Sequence, residues 1–371
     1  METTTARPVI CFATHGENHL DAERIRALLA PLSPEVYPFD YERKRSSALS
    51  LLRTARRRRP RMIVMEGTGI AGGVAVLAID ALLGIPYVVS SGDAVGPYLR
   101  LRSRAAGMLG GLYERLLCRR CAGYVGWTPY LVGRALTFGA PRAITAPGWA
   151  RTRPAPDARE RVRERLRIPA DALVVGLVGS LDWTESVGYA YGLELVRAVR
   201  RVARRDVVAC IVGDGSGRER LVELAGGELG GRILLPGRIP PGEVADHLAA
   251  FDLASLPQSV DRVGAFRYTT KLSEYLAAGL PIVTGEIPAA YDLDEACADP
   301  DDGCFWRLPG PVPWSETYLD ALARLLEGLT AEQLLRRRAA VARRGDRLFD
   351  LDAQRQRVCA FVEELLVARG R

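Results

Sequence analysis

Short apolar runs alternate along the chain with longer stretches whose apolar residues recur every three or four positions. Val9-Ile-Cys-Phe-Ala13, Arg61-Met-Ile-Val-Met65, Tyr87-Val-Val-Ser90 and Ala122-Gly-Tyr-Val-Gly126 read as buried strands. Between them Asp21–Leu29, Ile70–Leu83 and Tyr98–Arg120 carry helical periodicity, and Thr128-Pro129 opens a further helix. Gly84 with Pro86 just beyond is a stop signal for the second of these. Arg151–Asp157 is rich in proline and charge and reads as a linker running into a helix over Arg159–Leu166. The alternation then restarts. Strands are expected at Leu173–Val178, Val207–Val212, Ile233–Leu235, Leu253–Leu256 and Ile282–Thr284. The intervening helices fall at Tyr191–Val202, Arg218–Leu224, Glu243–Ala250 and Lys271–Ala278. From Ala331 the tail is helical, with a break expected near Gly345. Apolar strands spaced by helices imply an α/β protein with parallel sheets covered on both faces.

At 371 residues, 48% of them hydrophobic, the chain can bury two cores. The pattern places one Rossmann-like domain at 1–150 and a second at 151–345. A C-terminal helix at 346–371 is expected to pack back on the first domain. No apolar run approaches the roughly 20 residues of a membrane span. Met1 leads almost directly into a short strand, so no signal peptide is expected. The seven cysteines are scattered, and Cys118-Arg-Arg-Cys121 has no second pair at zinc spacing. With three histidines in all, no metal is expected, and a reducing, cytoplasmic compartment is the simplest reading.

The net charge of +7 is carried by arginine clusters. Nucleic acid, an anionic membrane surface, and solvated helix faces beside an anionic small substrate all suit such clusters. No aromatic–basic nucleic-acid module is recognisable, which makes nucleic acid the weakest of the three. The basic helix Tyr98–Arg120 fits either solvent or peripheral contact with the inner face of a membrane.

Candidate chemistry concentrates at strand ends. Gly67-Thr-Gly69-Ile-Ala-Gly72 follows a strand, opens a helix and precedes Asp93 by about twenty residues, the form of a dinucleotide fingerprint. It does not follow the first strand, and glycine at a helix start also serves plain packing. In the second half, Gly179-Ser180, Gly213-Asp-Gly215 and Pro236-Gly-Arg238 end three successive strands, where a ligand of an open sheet sits. Only two lysines, Lys44 and Lys271, stand among 51 basic residues, and Lys271 opens a helix. An ammonium at a helix N-terminus suits a diphosphate. Glu274, one turn further on, suits a ribose diol or a salt bridge to Lys271.

Thr270-Lys-Leu-Ser-Glu-Tyr-Leu-Ala-Ala-Gly-Leu-Pro-Ile-Val283 resembles the donor-binding segment of retaining glycosyltransferases of family 4, which have the GT-B fold. Tyr113–Val125, Ile144–Gly148 and Cys210–Gly215 extend the resemblance over nearly the whole chain. It implies two facing Rossmann-like domains with a cleft between them, and transfer of a sugar from a nucleoside diphosphate sugar with retention. The acceptor is a small molecule, thiol, lipid or glycan, and neither cofactor nor metal is required. By position, Lys271 and the Leu272 amide would meet the diphosphate and Glu274 the ribose. Arg238 and Ile239 would border the base, and Gly16, Gly179, Ser180, Gly213 and Gly215 would admit the ligand to the backbone. Three departures stand out. Gly179–Glu185 lacks the family's Arg and Lys, Phe266 replaces the first glutamate of the paired motif, and Ser90-Ser-Gly-Asp93 holds no histidine. Arg262 or Arg267 would restore the positive charge, and Asp93 and His15 become the acceptor-side catalytic candidates. An NAD(P)-dependent oxidoreductase and a non-catalytic sugar-nucleotide or nucleic-acid binder remain as alternatives.

Overall fold

Two parallel sheets of six strands each carry the chain. A computed structural model describes residues 7–150, 153–294 and 303–369. It divides into two compact units. One runs to Gly148 and takes in Phe266–Tyr268 and the chain from Asp350; the other comprises Trp149–Ala265 and Thr269–Phe349.

The first unit is built from β1 (Val9–Ala13), α1 (Leu20–Leu29), β2 (Glu35–Val36), α2 (Lys44–Arg58), β3 (Met62–Glu66), α3 (Ile70–Leu83), β4 (Tyr87–Ser91), α4 (Val95–Arg100), α5 (Arg104–Arg120), β5 (Gly123–Gly126), α6 (Pro129–Thr137) and β6 (Ala143–Thr145). Its strands run in the order β2-β1-β3-β4-β5-β6, so the winding reverses between β1 and β3. The second unit holds α7 (Ala158–Arg165), β7 (Leu173–Val178), α8 (Leu193–Arg201), β8 (Val207–Val212), α9 (Arg218–Ala225), β9 (Ile233–Gly237), α10 (Val244–Ala249), β10 (Leu253–Leu256), α11 (Thr270–Ala277), β11 (Ile282–Gly285), α12 (Pro288–Asp294), β12 (Phe305–Leu308), α13 (Glu316–Gly328) and α14 (Ala331–Leu348). The order β12-β11-β10-β7-β8-β9 is the doubly wound arrangement, with its reversal between β7 and β10. Side chains from both faces of β7 and β8 are buried, and α8 lays Leu195, Val196 and Val199 onto this core. Each such side chain contributes about 1.5–3 kcal/mol by leaving water. The last helix, α15 (Leu351–Arg369), belongs to the first unit, where Arg355 donates to the Ala27 carbonyl at 2.9 Å.

Two sequence expectations are corrected. Tyr98–Arg120 is two helices, interrupted at Leu101–Ser103, with the Ser103 hydroxyl accepting the Ala106 N–H at 3.1 Å to cap α5. Glycines let the two helices close together: a Cβ on Gly107 would lie 2.6 Å from that of Arg100. Apolar spacing continues across the turn, which hides the break. The C-terminal break falls at Phe349–Asp350, and Gly345 lies inside α14. The apolar pattern does not announce α2, because that arginine-rich helix buries only Ser47, Leu51 and Ala55, one residue per turn. Of the expected linker, Arg151 and Thr152 lie outside the described residues. No described helix is long and apolar enough to cross a membrane.

Candidate functional site

The reversal point of the second unit gathers most of the candidate residues singled out above. Gly179 leaves β7, and its N–H donates to the Val212 carbonyl at 3.0 Å. Gly213 has φ +146° and its N–H donates to the Gly237 carbonyl at 2.9 Å. A Cβ on Gly213 would stand 1.8 Å from the Gly179 carbonyl oxygen, so these turns stack backbone on backbone. Beside them lies a depression of about 480 Å³ lined by Asp214, Gly215, Ser216, Arg218, Glu219 and Gly237. Arg238 is exposed as the chain leaves β9, and Ile239 is half-buried.

Lys271 is the second residue of α11, after Thr269 at the N-cap. Its ammonium lies 4.6 Å from the ring centroid of Tyr191. Its stem crosses Gly179, where a Cβ would fall 2.7 Å from the lysine Cε and 3.1 Å from Nζ. Ring and glycine form a slot suited to a narrow, flexible cation rather than a planar guanidinium. The Tyr275 hydroxyl accepts the Val178 N–H at 3.3 Å and ties α11 to β7. Glu274 is half-buried on the same face of the helix as Lys271. The Leu272 N–H is already engaged with the Thr269 carbonyl at 3.0 Å.

Behind Tyr191 lies a residue that sequence reasoning missed. Glu194 is fully buried and accepts from the Tyr189 hydroxyl at 2.8 Å, the Gly192 N–H at 3.1 Å and the Ser255 hydroxyl at 3.1 Å. Burial pushes its carboxyl up to about 6 despite these bonds. Tyr189 meets Tyr191 edge-on at 6.1 Å, so this network backs the ring that carries Lys271. Asp182 was also missed. It takes the Ser180 hydroxyl at 2.5 Å and the Ser216 N–H at 3.2 Å. Those bonds, with the Arg238 charge, hold its carboxyl below the usual range. The loop noted above for lacking an Arg and a Lys thus holds a carboxylate that laces two turns together, and the Arg238 charge acts on it.

In the first unit, His15 follows β1 at the reversal point, and its Nδ1 lies 2.7 Å from Asp21 Oδ2. That hydrogen bond raises the His15 pKa against the effect of burial, and the charges of Asp21, Asp93 and Glu66 add to the rise. For Asp21, burial works upward, but the His15 bond and the charges of His19, His15 and Arg24 together hold it below its ordinary value. His19 caps α1 by accepting the Asp21 N–H at 3.3 Å. Among the described residues, His15, His19 and Asp21 form the one group able to hold a metal ion, with ligand atoms within 4.8 Å of one another. Gly16, at φ +101°, borders a depression of about 470 Å³ with His15, His19, Asp40 and Tyr41. Asp93 follows β4 half-exposed and pairs with Arg267 at 3.2 Å. Arg267 therefore serves the first unit here, while Arg262 is exposed on the second. Phe266 acts as an apolar anchor: its ring meets Tyr130 at 6.4 Å, and its carbonyl accepts the Thr128 hydroxyl at 3.0 Å. Below this edge, the fully buried Glu66 accepts from Arg24 at 3.2 Å and from the Trp127 indole at 3.0 Å.

Residues 172–327 match the family model described as "Glycosyl transferases group 1". Among curated proteins, none matches the chain. Solved structures similar to it include HepE from Anabaena in complex with UDP and glucose, at 15% identity and TM-score 0.68, covering 96% of this chain and 100% of that one. Sucrose-phosphate synthase from Thermosynechococcus elongatus reaches TM-score 0.73 at 14% identity, covering 98% and 100%. A glycosyltransferase from Rickettsia africae reaches 0.65 at 10%, covering 97% and 99%. The fold is GT-B.

Within this GT-B chain the Gly67–Gly72 motif has a packing role. A Cβ at Gly67 would lie 2.4 Å from Thr14 Oγ1, and at Gly72 2.8 Å from Thr14 Cγ2. Thr14 Oγ1 accepts the Gly69 N–H at 3.3 Å, and the Tyr113 hydroxyl donates to the Thr68 and Gly69 carbonyls. The start of α3 is closed by the protein's own side chains, which removes the observation that favoured a dinucleotide. Cys118 and Cys121 are both buried, and burial pushes the Cys118 thiol well up, as expected for inert cysteines.

Proposed function

We propose that this chain transfers a sugar from a nucleoside diphosphate sugar to an acceptor hydroxyl or thiol with retention of configuration, as a family 4 enzyme. The observation that carries the reading is Lys271 at the start of α11, held over Gly179 by Tyr191 inside the segment that matches the glycosyl transferase model. In this reading Lys271 and the positive end of α11 take the diphosphate, Glu274 takes the ribose, and Arg238 and Ile239 flank the base. The bond from the anomeric carbon to the phosphate oxygen breaks, and the acceptor bond forms on the same face. The acceptor proton passes to the departing phosphate oxygen, while Lys271 offsets the charge left on the diphosphate. These cations and the helix dipole supply positive charge without a resident metal or cofactor. His15, aimed by Asp21, and Asp93 are the acceptor-handling groups.

UDP-glucose is the first donor to try, given the UDP and glucose bound by HepE. The test is a thermal-shift screen of the full chain against UDP, GDP, ADP and dTDP sugars, followed by donor-hydrolysis assays. One nucleotide class should raise the melting temperature and be turned over. No shift with any of them would overturn the reading.

A further inference from the structure

The α4–α5 hairpin presents a surface that the sugar-transfer reading does not use. Met108, Leu109, Leu112 and Leu116 lie on the outer side of α5 at 64%, 63%, 59% and 50% exposure, with Leu101 of the preceding turn at 56%. Helical spacing puts the four α5 residues within an arc of roughly 100°. The glycines of the hairpin let its two helices pack closely: a Cβ on Gly110 would strike Leu99 at 2.7 Å, and one on Gly96 would meet the Gly111 Cα at 3.0 Å. Arg100, Arg102, Arg104, Arg115 and Arg119 are exposed around the stripe. Among the described residues none of them has an acidic partner, whereas the neighbouring Arg120 and Arg134 are bound to Asp80 and Glu114. An apolar strip of about 12 Å along α5, edged by cations without acidic partners among the described residues, matches a surface that offers hydrocarbon just below a layer of negative charge.

We propose that this hairpin docks the protein onto the surface of an anionic lipid bilayer, with Met108, Leu109, Leu112 and Leu116 entering the acyl boundary and the arginines meeting lipid phosphates. The inference goes beyond the sugar-transfer reading and does not depend on it.

The test is co-sedimentation of the full chain with phosphatidylcholine vesicles, with and without phosphatidylglycerol. Binding is expected only to the anionic vesicles and should weaken as salt rises. The triple change Arg104→Gln, Arg115→Gln, Arg119→Gln should lower the bound-to-free ratio about a hundred-fold. Leu109→Ser, Leu112→Ser, Leu116→Ser should lower it comparably at an unchanged melting temperature. The arginine variant keeps every leucine and methionine of the stripe and decides the matter if the serine variant unfolds. Equal binding to neutral vesicles, or indifference to the arginine changes, would overturn the proposal. So would light scattering showing a dimer in solution that the leucine changes dissolve, since the face would then be covered by a second copy.

Discussion

Each unit brings glycines to the edge of its sheet where the winding reverses, and the two edges use them differently. In the first, Gly67, Gly69 and Gly72 make room for Thr14, and with Tyr113 it seals the start of α3. In the second, Gly179 makes room for Lys271, whose ammonium is carried to the edge on the face of Tyr191. The missing Cβ admits one of the protein's own side chains in both cases. What differs is the chemistry of the guest: a small neutral seal in one unit, a cation at a helix start in the other. A glycine motif therefore says that something approaches closely, and the neighbouring side chain decides whether that edge can hold an anion.

The largest break in this comparison comes from Lys271→Ala. Removing the cation should cut donor turnover by about a hundred-fold or more while circular dichroism stays unchanged. Turnover equal to that of the parent chain would remove the second edge from the chemistry. Gly179→Ala tests the slot alone. Its methyl displaces the lysine stem without touching the charge, so nucleotide affinity measured by calorimetry should fall about ten-fold. Gly67→Ala should damage folding instead, because it also forces a side chain into φ +81°.

Glu194→Gln addresses the support beneath Tyr191. The carboxyl has a folded pKa of about 6, above its ordinary 4.5, so the folded state holds the proton more tightly. That contribution to stability is present below pH 4.5 and lost as pH rises through 6. Unfolding free energies measured by denaturant titration at a series of pH values should show the variant's profile flattened by about 2 kcal/mol across this window. An identical slope in both proteins would mean that Glu194 does not titrate there. The smallest effect is expected from Asp21→Asn in the first unit. His15 has a raised pKa, and the stability tied to its proton is present below 6.5 and lost as pH climbs through the folded value. The variant should titrate His15 at lower pH by proton NMR. An unmoved titration would free His15 from its partner.

Much of the layout was legible because buried parallel strands leave unbroken apolar runs, and β1, β7, β8 and β10 fall where the pattern puts them. The place of Lys271 at a helix start was legible because a lone lysine after two threonines is a local signal. Tyr191, Glu194, Asp182 and Asp21 were not, since each acquires its role from residues brought beside it only by folding. Tyr191 reaches Lys271 from the far side of three strands in sequence, and nothing in its own neighbourhood distinguishes it from a core aromatic. The break between α4 and α5 escaped notice for the opposite reason: it spans three residues and leaves the periodicity intact.

Isothermal titration of the bare nucleoside diphosphate, without the sugar, tests the central assignment most directly. The parent chain should bind it, Lys271→Ala should lose the diphosphate contribution, and Glu274→Gln should bind about ten-fold more weakly because a ribose contact survives removal of the sugar. Three equal affinities would contradict the account, because the nucleotide would then be held by groups other than this lysine and this glutamate.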